Sequence, residues 1–279
     1  MFDILYLAPV SRAEIFINTI PQQTDFSRCD LLAAISPGFF AYAIADETGR
    51  LLLFEKYTRI ANDAQPFSFQ TEGGWLEKTY RQVKVAYFSP DTVTMPSRYF
   101  QPGNAALHLD AVYGDTGEGI LLNDFITHRS IYCVYRVPKE VVRTVVRSFP
   151  LAAAWNAQSL LLAQKNIQEE GVSLQVNFLQ DACCFLLQKN GQLLSVKSYP
   201  FTNMPDVAFT LLAYCQMHGI AADDVQLSAG GWITAGSPMY EELRKYFLHT
   251  GFSENPPVPQ GFEQFPAHFF ELFHLLRSV

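Results

Sequence analysis

The sequence predicts an α/β protein built from two copies of one unit, and three observations carry that expectation. Gly49-Arg-Leu-Leu-Leu-Phe-Glu-Lys-Tyr57 aligns with Gly191-Gln-Leu-Leu-Ser-Val-Lys-Ser-Tyr199 at an offset of 142 residues, sharing the glycine, two leucines and the tyrosine. At the same offset of 142, Val83-Lys-Val-Ala-Tyr-Phe-Ser89 meets Val225-Gln-Leu-Ser-Ala-Gly-Gly231, and both runs have the length and character of strands. The chain has 279 residues, 49% of them apolar and 17% charged, enough to bury a core in each of two halves. The halves are expected at 1–170 and 171–279.

The elements follow in order. Residues 31–45 (LLAAISPGFFAYAIA) read as a first hairpin, with its opening strand near Leu32. The polar turn Asp46-Glu47-Thr48-Gly49 leads into a third strand, because Gly and Asn tolerate the positive φ of tight turns. Trp75 to Gln82 reads as a short helix ahead of the strand at Val83. Strands are expected at Ile120–Phe125 and Ser130–Val137, then a helix whose first turn suits Pro138 and which Pro150 ends. Trp155 to Lys165 has a helical pattern.

The second unit opens near Leu174 with QVNFLQDACCFLLQKNGQLL, two apolar strands around Lys189-Asn190-Gly191. Met204 to Met217 places Val207, Ala208, Leu211, Leu212 and Cys215 at helical spacing, with Asp206 in the first turn and Gly219 as a stop. Ser237 caps a further helix opened by Pro238, with Glu241 and Glu242 near its positive end. Asn255-Pro-Pro-Val-Pro259 reads as a linker, and Ala267 to Leu276 as a last, aromatic-rich helix that docks on the protein's own core.

Composition removes several classes of function. The net charge is −7 and there is no basic tract, so no nucleic-acid partner is expected. The opening MFDILYLAPVSRAE lacks a basic segment before an apolar run, and no stretch approaches the roughly 18 apolar residues of a spanning helix, so a soluble cytoplasmic protein without a membrane partner is expected. Cys29, Cys133, Cys183, Cys184 and Cys215 are odd in number and contain no Cys-x-x-Cys pair, which reads as buried thiols rather than disulfides or zinc ligands. His268 and His274 are six apart and share no helix face, so no metal site is expected. Gly114-Asp-Thr-Gly-Glu-Gly119 lacks the Gly-Lys-Ser/Thr ending of a phosphate loop and reads as a flexible turn. No Gly-x-Ser-x-Gly elbow or recognisable Cys/His arrangement is present, and no catalytic residue is assigned.

Five short stretches carry a resemblance to a known family: Ile35-Ser36-Pro37-Gly38, Tyr135-Arg136-Val137-Pro138-Lys139-Glu140, the second hairpin, Leu227-Ser228, and Phe265-Pro266-Ala267-His268-Phe269-Phe270. In order and spacing the chain resembles the bacterial family of domain of unknown function 3822. The resemblance implies an actin-like ATPase (ribonuclease-H-like) fold, with two duplicated α/β halves around a cleft and the C-terminal helix, about 265–277, returning to the first half. It supplies no reaction.

Actin-like enzymes hold a nucleotide with two hairpin bends and a Gly-Gly strand end, where backbone N–H groups bind phosphate and carboxylates hold magnesium. In the second hairpin the aspartate position falls on Asn177, and the glycine positions on Leu179, Gln180 and Asp181. The first hairpin has neither acid nor lysine, and Pro37 has no N–H to offer. The candidate cofactor-binding residues are therefore Asn177, Asp181, Gly230 and Gly231, for ATP with magnesium. Each has a plainer reading: Asp181 as a turn residue, the glycines as the bend into the next helix. The expectation is a degenerate, non-catalytic protein with no cofactor, working as an adaptor or regulator through a protein partner or a homodimer. The alternative is an ATP-using kinase or ATPase relying on Asp181 and the Gly230-Gly231 end. A ribonuclease-H-like nuclease ranks last, since it needs clustered carboxylates for two metals.

Overall fold

The computed structural model describes residues 15–36, 38–58, 74–114, 119–164, 170–180, 182–253 and 261–279. An edge strand, β1 (Ile15–Asn18), precedes the hairpin of β2 (Asp30–Ile35) and β3 (Phe39–Ala45) and the third strand β4 (Leu51–Thr58). Every residue of β2 and β3 is buried, which explains why they read as continuous apolar runs rather than alternating ones: both faces of the sheet are covered. β5 (Gln82–Tyr87) pairs parallel to β2.

An insertion follows, made of β6 (Thr92–Pro96), α1 (Ala105–Tyr113), β7 (Ile120–Ile126) and β8 (Ile131–Val137), with its own three-stranded sheet in the order β6-β8-β7. The amphipathic α2 (Lys139–Ser148) buries Val141 and Val145 in one core with Leu31 and Tyr42. β9 (Ala153–Asn156) then completes the first sheet beside β5, and α3 (Ala157–Ala163) leaves it.

The second unit repeats the plan with β10 (Val172–Phe178), β11 (Ala182–Lys189), β12 (Gln192–Pro200), α4 (Met204–Met217), β13 (Val225–Gly231), α5 (Pro238–Arg244) and β14 (His249–Phe252). The last helix is α6 (Glu271–Ser278), entered through a 3-10 turn at Ala267–Phe270. The sheets run β1-β4-β3-β2-β5-β9 and β12-β11-β10-β13-β14. Apart from the added β1, both have three antiparallel strands followed by two parallel ones. The offset of 142 carries Asp30 onto Val172, where β10 begins, and carries the starts of β3, β4 and β5 to within one residue of those of β11, β12 and β13.

Two expected helices are corrected. Trp75 to Gln82 forms only a 3-10 turn at Trp75–Glu77, after which Lys78 is extended and β5 starts at Gln82. Tertiary contacts decide this: Tyr80 stacks edge-on against Phe26 at 5.9 Å and Arg81 reaches Asp30 at 2.6 Å, which needs an extended chain. Trp155 lies in β9, not in a helix. α3 starts at Ala157, because Asn156 turns out of the strand and its side chain accepts the Gln158 N–H at 2.8 Å as an N-cap. β1, β6, β14 and α1 were not anticipated. Residues 115–118 of the glycine-rich turn, the 255–259 linker and the opening 14 residues lie outside the described residues.

The halves exchange helices. α3 leaves the first sheet and packs on β11 and β12, whereas α6 leaves the second unit and lies on β2 and β5, touching α3 on the way. One core therefore runs through both halves, with Leu32 and Phe54 joined to Leu179 and Leu186 through Leu161 and Phe273. Among the described residues no helix is long and apolar enough to cross a membrane.

A buried carboxylate ties the insertion to the first sheet. Asp124 of β7 accepts the Asn156 backbone N–H at 2.7 Å and the Tyr135 hydroxyl at 3.2 Å. Burial outweighs these bonds and pushes its carboxyl up from 3.8 to about 6. The folded state thus holds this proton more tightly than the unfolded chain. The contribution of Asp124 is most favourable below pH 4 and declines as pH rises through about 6, by at most about 3 kcal/mol. Asp124→Asn is expected to flatten that decline, read as the difference between the urea-unfolding free energies of wild type and variant from about pH 4 to 8.

Candidate functional site

The cleft site is built from the ends of β10 and β13 and the two hairpin bends. Parallel pairing sets Asn177 opposite Gly230 and Phe178 opposite Gly231, so three of the sequence candidates do meet. Asp181 lies outside the described residues.

Gly231 has φ of 78°, and a Cβ there would stand 2.1 Å from the Phe178 carbonyl oxygen, so only glycine fits this crossing of two strands. Gly230 has ordinary backbone but no room: a Cβ would fall 1.5 Å from Oε2 of Glu271. Glu271 begins α6, where the positive helix end favours a carboxylate. It is buried and accepts bonds from Gln175 Nε2 at 2.8 Å, Asn177 Nδ2 at 3.1 Å and Ser253 Oγ at 3.0 Å. The close approach that Gly230 permits is therefore taken by the protein's own C-terminal helix.

The same contact explains Asn177. An aspartate here would face the Glu271 carboxylate with like charge at hydrogen-bond distance, whereas the amide can donate to it. The second amide atom, Asn177 Oδ1, is buried and has no hydrogen-bond partner among the described residues.

The bends are occupied in a similar way. In the first, Ser36 Oγ accepts the N–H groups of Gly38 at 3.0 Å and Phe39 at 3.1 Å, which engages backbone donors that a phosphate would need. In the second, the Leu179 N–H donates to Ala182 O at 2.8 Å and the Leu179 side chain enters the shared core. Gln180 accepts a hydrogen bond from Lys56 of β4, whose Nζ also lies 4.7 Å over the ring of Trp232. Trp232 follows the Gly-Gly end and meets Phe39 edge-on at 4.8 Å. Lys56, Trp232 and Phe39 thus make contacts from one half to the other beside the bends.

Glu271 and Lys56 were not found by sequence reasoning. The only signal for Glu271 was an acid alone in the apolar run Phe269-Phe270-Glu271-Leu272-Phe273. Among the described residues no group of three or more His, Cys, Asp or Glu is placed to hold a metal ion. All five cysteines are buried free thiols, as the sequence suggested.

The chain belongs to the family described as protein of unknown function (DUF3822), whose profile matches residues 21–250. No curated protein matches it by sequence. Its fold is similar to that of a Bacteroides thetaiotaomicron VPI-5482 protein with actin-like ATPase fold and unknown function, at 15% identity and a TM-score of 0.70, over 86% of this chain and 95% of that one. It is also similar to a chain of the PilM-PilN type IV pilus biogenesis complex, at 12% identity and a TM-score of 0.55, over 89% of this chain and 97% of that one. The fold is the actin-like ATPase fold, with mixed α/β sheets and helices.

Proposed function

We propose that this DUF3822 protein is a non-catalytic member of its fold, acting as an adaptor or regulator through contacts with other proteins. The observation that carries this reading is the Glu271 carboxylate seated on Gly230, held by three donors from the second half. A nucleotide approaching this strand end would meet a fixed negative charge, and the bends offer it side chains where close backbone approach is needed. The apolar surface is in keeping with protein contacts: Phe209 and Met217 of α4 are 74% and 68% exposed, and Leu151 after α2 is 97% exposed. The PilM-PilN structure is one instance of a protein of similar fold residing in a complex.

Isothermal titration and phosphate release with magnesium-ATP test the reading. The expected result is no turnover and a dissociation constant weaker than about 1 mM. Micromolar binding with turnover would instead support an ATP-using enzyme. Light scattering and affinity capture test the contacts: a homodimer or a co-purifying protein is expected, and a strict monomer that captures nothing counts against an adaptor.

A further inference from the structure

The outer face of α4 is apolar and open. Val207, Ala208, Leu211 and Cys215 point into the core of the second half, so the opposite line of the helix carries Phe209, Ala213 and Met217. Phe209 is 74% exposed and Met217 68%, and Ala213 between them is partly buried. The three are spaced by four residues, which makes them one ridge on the helix surface: large, small, large. Large apolar side chains grouped in this way gain from burial against a matching surface.

The ridge matches itself. Phe209 and Met217 lie about 6 Å from Ala213 along the helix axis, in opposite directions. An antiparallel second copy crossing at Ala213 therefore sets each Phe209 ring on Met217 of the other copy, a favourable sulfur–aromatic contact. The two small Ala213 side chains let the helix axes approach to about 8 Å. Charge selects the direction. Asp206 is the only charged residue among the 14 of α4. Parallel pairing would bring the two Asp206 carboxylates and the two positive helix ends side by side. Antiparallel pairing separates the carboxylates by about 21 Å and opposes the helix dipoles. At a net charge of −7 two copies repel one another, and meeting on a nearly uncharged face lowers that cost. A lipid surface fits this face less well, since helices that lie on membranes carry Lys or Arg on their polar side and α4 has neither.

We propose that the Phe209–Ala213–Met217 face of α4 is a homodimer interface, on which a second copy of this chain packs its own α4 antiparallel about a two-fold axis at Ala213. The dimer rests on the protein-contact reading and names its partner.

Sedimentation of the full chain from about 1 to 200 μM is the test, and a dimer with a dissociation constant of about 10 μM is expected. Ala213→Glu sets two carboxylates against each other at the axis and is expected to weaken the dimer by at least about 100-fold. Phe209→Ala is expected to weaken it by about tenfold or more; should Ala213→Glu not fold, Phe209→Ala decides alone. Oxidative cross-linking reads the direction. Ala213→Cys places a thiol at the axis, within disulfide reach of its copy, and is expected to give a covalent dimer. Phe209→Cys thiols would lie about 12 Å or more apart and are expected to give none. The native cysteines are all buried and do not compete.

A chain that stays monomeric at about 200 μM overturns the dimer. If that monomer captures a different protein through Phe209, the adaptor reading stands without it. A dimer that neither Ala213→Glu nor Phe209→Ala weakens lies on another face and overturns the proposal. A cross-link at Phe209→Cys with none at Ala213→Cys means parallel pairing and overturns it equally. Magnesium-ATP turnover by a chain that dimerises as expected overturns the adaptor reading alone.

Discussion

Gly230→Ala is expected to destabilise the protein by about 3 kcal/mol or more, although its backbone would accept alanine. The cause is space alone. The new Cβ would lie 1.5 Å from Oε2 and 2.7 Å from Cδ of Glu271, and 3.0 Å from Ser253 Oγ. Glu271 cannot withdraw without leaving the amides of Gln175 and Asn177 and the Ser253 hydroxyl short of an acceptor in a buried site. Glu271→Ala alone is expected to cost about 2–4 kcal/mol, from those unsatisfied donors. In the double variant Gly230→Ala/Glu271→Ala the Cβ enters the space the carboxylate has vacated. The combined loss should then fall short of the sum by about 1–3 kcal/mol, measured by urea unfolding as a double-mutant cycle. Strict additivity would mean that the carboxylate does not rest on this glycine.

Phe273→Ala is expected to cost about 3–5 kcal/mol, read as a lower urea midpoint with an unchanged slope. Phe273 is fully buried on α6 and meets Phe54 of β4 edge-to-face at 5.4 Å, so its removal opens a void in the core that both halves share. Phe209→Ala deletes the same side chain from an exposed face of α4 and should change stability by no more than about 0.5 kcal/mol. If that variant instead loses self-association or a co-purifying protein, the exposed ring belongs to a contact surface.

The parts of the fold that could be read from the sequence are those whose pattern is local. α4 follows from five apolar residues at helical spacing with an acid in its first turn, and α5 from Ser237 and Pro238, where the Ser237 side chain does accept the Tyr240 N–H. The repeat was legible because each unit places its turn glycine and leucines at the same distance from its start. β1, β9 and β14 have four residues each, too short for a period to show. Their state is decided by the strand beside them. Ala153 to Asn156 becomes β9 because β5 offers an open edge, and Trp75 to Gln82 is drawn out of a helix by the Phe26 and Asp30 contacts.

The candidate site divides along the same line. The sequence by itself determined that the two halves share one plan, that the acid expected in the second hairpin is an asparagine at position 177, and that a Gly-Gly pair ends a strand of the second half. These are identities at positions, and the resemblance to actin-like hairpins is what locates them. Only the tertiary structure decided what those residues face. Glu271 lies 94 residues from Asn177 and Lys56 lies 124 from Gln180, separations at which no spacing rule operates. They meet because α6 returns to the first sheet with its N-terminus against the second, and because β4 of one half faces the hairpin bend of the other. Glycine at 230 could have admitted a ligand or a side chain of the same protein; the packing of α6, driven by the burial of Leu272, Phe273 and Leu276, put a carboxylate there.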